Sequence, residues 1–455
     1  MSLEQLSRLD TAGHAAPTPA PGSRPAHRGS RLEGDSQRTR TSAALILVYV
    51  FWLLMLWEVE LFLSAAIGGP FFRIPTLLAP ILILIALSRG TRKMVYLPLI
   101  IFVAMHIAAS LVAENAGRSR LTTRYMIYVL ILFASSVAVL DSPRKVSVVL
   151  KVYLLSFAWF GLQGLPRGLV SWHPLLANED SFGPLMLVGL PFAYFYAFAT
   201  SSTRWRWIAR GVFILGIVGL VASFARGAVL SAAVVLLYIL LKSPQKSRAL
   251  IFLFLAAIVA LPLMTMLVPV DAFLKEVGTS GEGDPTRMNL WQLAWAVFKT
   301  SPLVGVGSFN YGVVADRIAS PDMREFIWNG LYTKTPHNAT LQILAEEGLL
   351  GIALWFTMIV NFFLWNARLR GRGVQDRWRL RGGEELDLRI LSYGLDGAMI
   401  AFLLTSIFYN QLYIHWFWSL LTISFLLHNL TKGLQGHPET MEHGGRISRP
   451  RRARA

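Results

Sequence analysis

Apolar stretches close to membrane-crossing length recur along this chain, separated by polar breaks of very unequal size. Hydrocarbon offers the backbone no hydrogen-bond partner, so such stretches fold as helices. Spans are expected at about 43–64, 74–88, 94–112, 122–140, 146–163, 181–200, 207–222, 227–241, 249–268, 348–366, 389–408 and 413–430. The pattern predicts an all-α fold: a polytopic integral membrane bundle of about 12 transmembrane helices with one large extracytoplasmic loop. Only 15% of residues are charged, which excludes a chain of soluble domains. The absence of cysteine excludes disulfides, thiol catalysis and cysteine metal sites.

This divides the chain into a disordered basic tail (1–42), nine helices (43–268), the loop (269–347), three helices (348–430) and a second basic tail (431–455). The first tail is too long and polar for a signal peptide's leading region, so the first apolar run is expected to stay as a membrane helix. A net charge of +17 invites a nucleic-acid reading. Its distribution argues otherwise. Thirty of the 43 Lys and Arg residues fall on the side of the N-terminal tail and twelve on the other. The positive-inside rule then puts both termini in the cytoplasm, and the charge reports topology with no nucleic acid implied. The basic segment 368–381 reads as a cytoplasmic anchor.

Four segments meet on the opposite, outward side. They are 164–180 with His173, Asn178, Glu179 and Asp180, the break 223–227, the loop 269–347, and the turn 409–411. Arg226 stands between two apolar runs, where a charge is costly unless paired or hydrated. A functional role and simple snorkelling to the interface weigh about equally. In the loop, Asp284-Pro285 has the form of an N-cap and first helical residue, starting a helix to about Thr300. Leu290, Trp291, Ala294, Val297 and Phe298 give it an apolar stripe, expected to lie on the membrane surface with Arg287 beside it. Gly305-Val306-Gly307 is more often a turn than a phosphate cradle. Thr335-Pro336 repeats the cap pattern and places His337 and Asn338 in the first turn of a helix ending near Gly348. Free N–H groups there favour an anion, and an imidazole can serve as general base. The bland alternative is a loop histidine that only hydrogen-bonds. The acidic pairs Glu179-Asp180 and Glu282-Gly283-Asp284 lack histidine partners for a metal. Lys151, His106 and Asp396 sit within apolar runs without an assigned role.

Taken together, these segments resemble the bacterial O-antigen ligase and O-antigen polymerase superfamily. The resemblance rests on Asn178-Glu179-Asp180-Ser181 with Leu190-Pro191-Phe192, and on Ser223-Phe224-Ala225-Arg226-Gly227. It continues in Arg287 with Trp291 and Ser301-Pro302-Leu303-Val304-Gly305-Val306-Gly307, and in His337-Asn338 to Leu341 with Glu347-Gly348 and Gly351. It spans roughly 178–356. Ala225 departs from the family's second serine, and Phe408-Tyr409-Asn410 stands where many members carry an acid.

The resemblance implies a metal-independent, cofactor-free glycosyltransferase of the GT-C type in the bacterial cytoplasmic (inner) membrane. Its partners would be a polyprenyl-diphosphate-linked glycan donor, a glycan, lipid or protein hydroxyl acceptor, membrane lipid and a chain-length regulator. Carried over residue by residue, His337 is the catalytic base, and Arg226, Arg287 and Lys334 bind diphosphate. Asn338, Asn178 and Asp180 orient donor or acceptor, and no residue is assigned to a metal. Ligase and polymerase remain equally open. The rival from another class is a 12-helix transporter or flippase for an anionic or lipid-linked solute. Against it, the notable charges gather at one face instead of mid-bilayer.

Overall fold

The computed structural model describes residues 42–68, 74–89, 96–174, 176–247, 249–251, 253–254, 258, 285–325, 334–371 and 377–435. Most of the expected span at 249–268 lies outside them, as do Asp284 and nearly all of both tails.

Helices α1 (Ala43–Trp57), α2 (Val59–Ile67), α3 (Ile74–Ser88), α4 (Leu97–Val112), α5 (Ala116–Val139) and α6 (Pro143–Gly164) come first. They are followed by α7 (Glu179–Ala199), α8 (Thr203–Ala222) and α9 (Arg226–Lys242). The loop contributes α10 (Pro285–Thr300), α11 (Tyr311–Ile318) and α12 (Pro321–Glu325), and the chain closes with α13 (Ala339–Leu369), α14 (Leu388–Thr405) and α15 (His415–Gln435).

Among the described residues six helices are long and apolar enough to cross a membrane. A seventh is reached if α1 and α2, bent by 66° at Glu58, form one span. The chain is an all-α polytopic membrane protein, but the count falls short of the expected twelve. The expected positions do carry helices from 43 to 241 and from 348 to 430. Several are shorter than the ~20 residues a straight span needs, α3 having 15 and α9 having 17.

Helix α7 is the centre of the bundle, with 94% of its apolar window buried. It packs on α8 and α14. Close approach requires small residues: a Cβ on Gly397 of α14 would lie 2.5 Å from the Pro191 side chain.

Segment 368–381, expected as an anchor, leads into a two-stranded antiparallel hairpin, β1 (Arg377–Arg379) with β2 (Glu385–Asp387). Trp378 and Leu386 alternate inward from it. Glu384 meets Lys151 Nζ at 2.8 Å and accepts from Thr200 Oγ1 at 3.1 Å, which accounts for the lysine inside α6. Asp396 is explained nearby. Its carboxylate lies 2.7 Å from Arg370 Nη1 and accepts from Asn366 Nδ2 at 2.8 Å, clamping α13 to α14. The hairpin marks this end of the bundle, the hairpin end, and 285–325 and 334–338 pack at the opposite one, the loop end.

Candidate active site

The loop builds a small core of its own. Leu290, Leu293, Ala294 and Val297 of α10 pack with Tyr311, Val314 and Ala315 of α11 and with Ala345 of α13. The apolar stripe of α10 therefore faces protein, not lipid. The stripe has this partner because α11 and α13 present a matching apolar surface beside it. Tyr311 Oη donates to Leu290 O at 2.8 Å. Burial, with Glu346 adding to it, pushes that phenol above its ordinary range and keeps the donating proton in place.

Segment 302–307 is held by a break in α13. Gly348 has φ 64 and ψ −162, which interrupts the helix. The interruption frees the N–H groups of Leu349 and Leu350 and the carbonyls of Ala345 and Glu346, which a continuous helix would pair with one another. The loop takes all four. Leu349 N donates to Pro302 O and Leu350 N to Leu303 O, while Val306 N donates to Ala345 O and Gly307 N to Glu346 O, at 2.9–3.1 Å. Glycine is required on both sides of this backbone-on-backbone contact. A Cβ on Gly305 (φ 72) would lie 2.2 Å from the Glu346 carbonyl, and one on Gly348 would lie 2.5 Å from that of Leu303. Gly305-Val306-Gly307 is a docking turn. Gly348 breaks the helix, as expected, but the chain continues directly into the membrane span.

The start of α13 also differs from expectation. Asn338, not Thr335, is the N-cap, its Oδ1 accepting Leu341 N at 2.9 Å. Asn is the stronger cap competitor, and the helix begins at Ala339. His337 consequently precedes the helix. It is half-buried and in the left-handed region at φ 49, a conformation uncommon outside glycine.

The turn Ser406–Tyr409 gathers the sequence motifs. Ser406 O accepts Ala339 N at 2.9 Å and Ile407 O accepts Asn338 Nδ2 at 3.1 Å. Tyr409 Oη accepts Gly227 N at 3.0 Å, in the first turn of α9 that Arg226 begins. A Cβ on Gly227 would meet the Phe408 side chain at 2.8 Å. The Arg287 guanidinium lies over the Tyr409 ring, 5.9 Å from its centroid. Trp291 Nε1 donates to Pro336 O at 3.0 Å, tying α10 to the residue before His337. One turn thus joins the elements bearing Arg226, Arg287 and His337. Lys334 is half-buried three residues upstream. Asn178 is exposed just before α7, and Asp180 lies in that helix's first turn. Just after that turn, Gly183 packs against Ser223 and Ala225, beside Arg226.

Beneath these residues lies a polar core that the sequence did not assign. Glu346 and Glu347 are buried. Glu346 accepts from Gln342 Nε2, Tyr413 Oη and Tyr311 N, and Glu347 accepts from Ser308 Oγ at 2.6 Å. His106 Nε2 lies 3.3 Å from Glu347 Oε1. The Nδ1 of His106 is 3.0 Å from Phe102 O. A carbonyl only accepts, so Nδ1 carries a proton. His106 and Glu347 thus face each other across the contact of α4 with α13, which accounts for the histidine inside an apolar run.

Glu58, at the α1–α2 break, meets His173 Nε2 at 2.7 Å and His415 Nε2 at 3.3 Å. His173 has the opposite tautomer to His106. Its Nδ1 accepts Leu176 N at 3.0 Å, leaving the proton on Nε2, toward Glu58. The histidines standing in or beside apolar runs were the available signal, but their partners are distant in sequence.

Residues 211–356 match the family model described as O-antigen ligase. No curated protein matches the chain. The matched stretch contains Arg226, Arg287, the docking turn and His337, and leaves out the 406–409 turn, Glu58 and His106.

Proposed function

We propose that this chain, which belongs to the O-antigen ligase/polymerase superfamily over residues 211–356, is a glycosyltransferase acting on lipid-linked glycan. It moves the glycan from a polyprenyl-diphosphate carrier to an acceptor hydroxyl at the outer face of the bacterial cytoplasmic membrane, in surface polysaccharide assembly.

The observation carrying this reading is the turn at 406–409, to which the helix begun by Arg226, the Arg287 guanidinium and the Asn338 cap beside His337 all attach. Two cations and a histidine borne on elements that one turn joins suit displacement of a diphosphate. The acceptor oxygen bonds to the anomeric carbon as the bond from that carbon to the diphosphate oxygen breaks. His337 takes the acceptor's proton. Arg226 and Arg287 neutralise the charge growing on the departing polyprenyl diphosphate, with Lys334 as a further cation. Asn338, Asn178 and Asp180 orient the two sugars. The bundle holds the prenyl chain in the bilayer.

The test compares cells expressing wild type and His337→Ala at matched levels. The variant should accumulate lipid-diphosphate-linked glycan and lose mature surface polysaccharide. Single repeats on the stalled carrier identify a polymerase, and long chains identify a ligase. Normal polysaccharide with no stalled donor would remove His337 from the chemistry and bring the transporter reading forward.

A further inference from the structure

The three motif elements lie far apart in the chain, yet each is fastened to the same four residues. Ser406 and Ile407 use their backbone carbonyls on the start of α13, at Ala339 N and Asn338 Nδ2. Phe408 fills the space beside Gly227 that any larger residue would claim. Tyr409, only 3% exposed, touches two elements at once. Its hydroxyl accepts the Gly227 N–H and its ring lies beneath Arg287. The turn is itself held from behind, because Ser406, Phe408 and Tyr409 N–H groups return to α14 carbonyls and Thr405 Oγ1 meets Gln411 Oε1 at 3.1 Å. A stiff turn in contact with all three elements fixes the separations among them.

We infer that Tyr409 is a positioning residue for donor binding, setting the distance between the first turn of α9, where Arg226 stands, and the Arg287 guanidinium, so that both reach one diphosphate. This rests on the reading that these arginines bind the diphosphate. The tyrosine lies outside the stretch matching the family model, and its task there is geometric. An aromatic ring supports the guanidinium face, and a phenol oxygen holds a helix-start N–H that would otherwise swing with its loop. Misplacement by about 1 Å is enough to cost about 100-fold where two groups must meet one substrate.

The experiment uses full-length protein in proteoliposomes, with donor extracted from His337→Ala cells and farnesyl diphosphate as a competing headgroup mimic. Tyr409→Phe keeps the ring and removes the hydroxyl that accepts Gly227 N–H. KM for donor and the inhibition constant of farnesyl diphosphate should both rise about 5–10-fold, with kcat within about 3-fold. Tyr409→Leu also loses the ring, and kcat/KM should fall about 100-fold. A merely structural role would lower the active fraction and leave both constants unchanged. Unchanged constants in both variants, or losses confined to active fraction, overturn the inference. Arg226→Ala and Arg287→Ala separate it from the reading beneath it. If they are inactive while Tyr409→Phe and Tyr409→Leu keep wild-type constants, only the role of Tyr409 fails. If they too keep wild-type constants, the diphosphate reading fails with it.

Discussion

The two ends of the bundle treat buried charge in opposite ways. At the hairpin end, carboxylates meet permanent cations, Glu384 with Lys151 and Asp396 with Arg370. Neutral groups complete each pair: Thr200 on Glu384, and Asn366 on Asp396, itself bonded to Ser424. At the loop end, Glu58, Glu346 and Glu347 are held by imidazoles, hydroxyls, an amide and a backbone N–H. Among the described residues none of these three pairs with lysine or arginine. Arg226 and Arg287 stand instead at a helix start and over an aromatic ring. Charge is used to clamp helices at one end. At the other, neutral and imidazole donors shape the backbone on which the candidate cations are mounted.

That contrast can be broken or sharpened by substitution. The largest effect should come from Arg226→Ala or Arg287→Ala. Each should lower kcat/KM for lipid-linked donor by about 10²–10³, with thermal midpoint close to wild type, because lost charge stabilisation is catalytic and not structural. Equal loss of stability and rate would erase the distinction. Next is Arg370→Ala at the hairpin end, which strands Asp396 among buried groups. It should cost about 3 kcal/mol of stability, read in thermal or denaturant melting in detergent, and leave kcat per folded molecule unaltered. Glu347→Gln preserves shape and can still accept from Ser308. Its cost should be about 1–2 kcal/mol, and if the docked segment loosens it appears as faster proteolysis within 302–307. The smallest effect belongs to Arg379→Ala. That side chain is 88% exposed and 3.6 Å from Glu385, so melting should change by less than about 0.5 kcal/mol.

How much of this could be read in the chain follows from the range of each interaction. Helix positions were legible because membrane insertion is a local property of about twenty residues. The number that cross was not, since Glu58 breaks the first run and α3 and α9 are short. Arg226-Gly227 announced itself as a polar break in an apolar run. The cap of α13 was misplaced by three residues because Thr335 and Asn338 both have capping side chains, and only the fold decides between them. The stripe on α10 gave the right face but not its partner. The hairpin stayed hidden beneath a run of arginines whose charge drowned its short alternation. In the sequence, Tyr409 stands out only as a departure from the family pattern. Its contacts reach back to Gly227 and Arg287, and nothing local in Phe408-Tyr409-Asn410 encodes them. The same holds for His106 with Glu347 and for His173 with Glu58, pairs that exist only once the helices assemble.

The most direct test of the central claim is a single-turnover assay of purified wild type and His337→Ala in proteoliposomes, following glycan on acceptor and free polyprenyl diphosphate together. The account predicts that wild type forms the two products in equal amounts. The variant should bind donor with similar affinity yet turn over at least about 10²-fold more slowly. Wild-type rates in the variant, or passage of intact lipid-linked glycan across the bilayer without release of diphosphate, would contradict it.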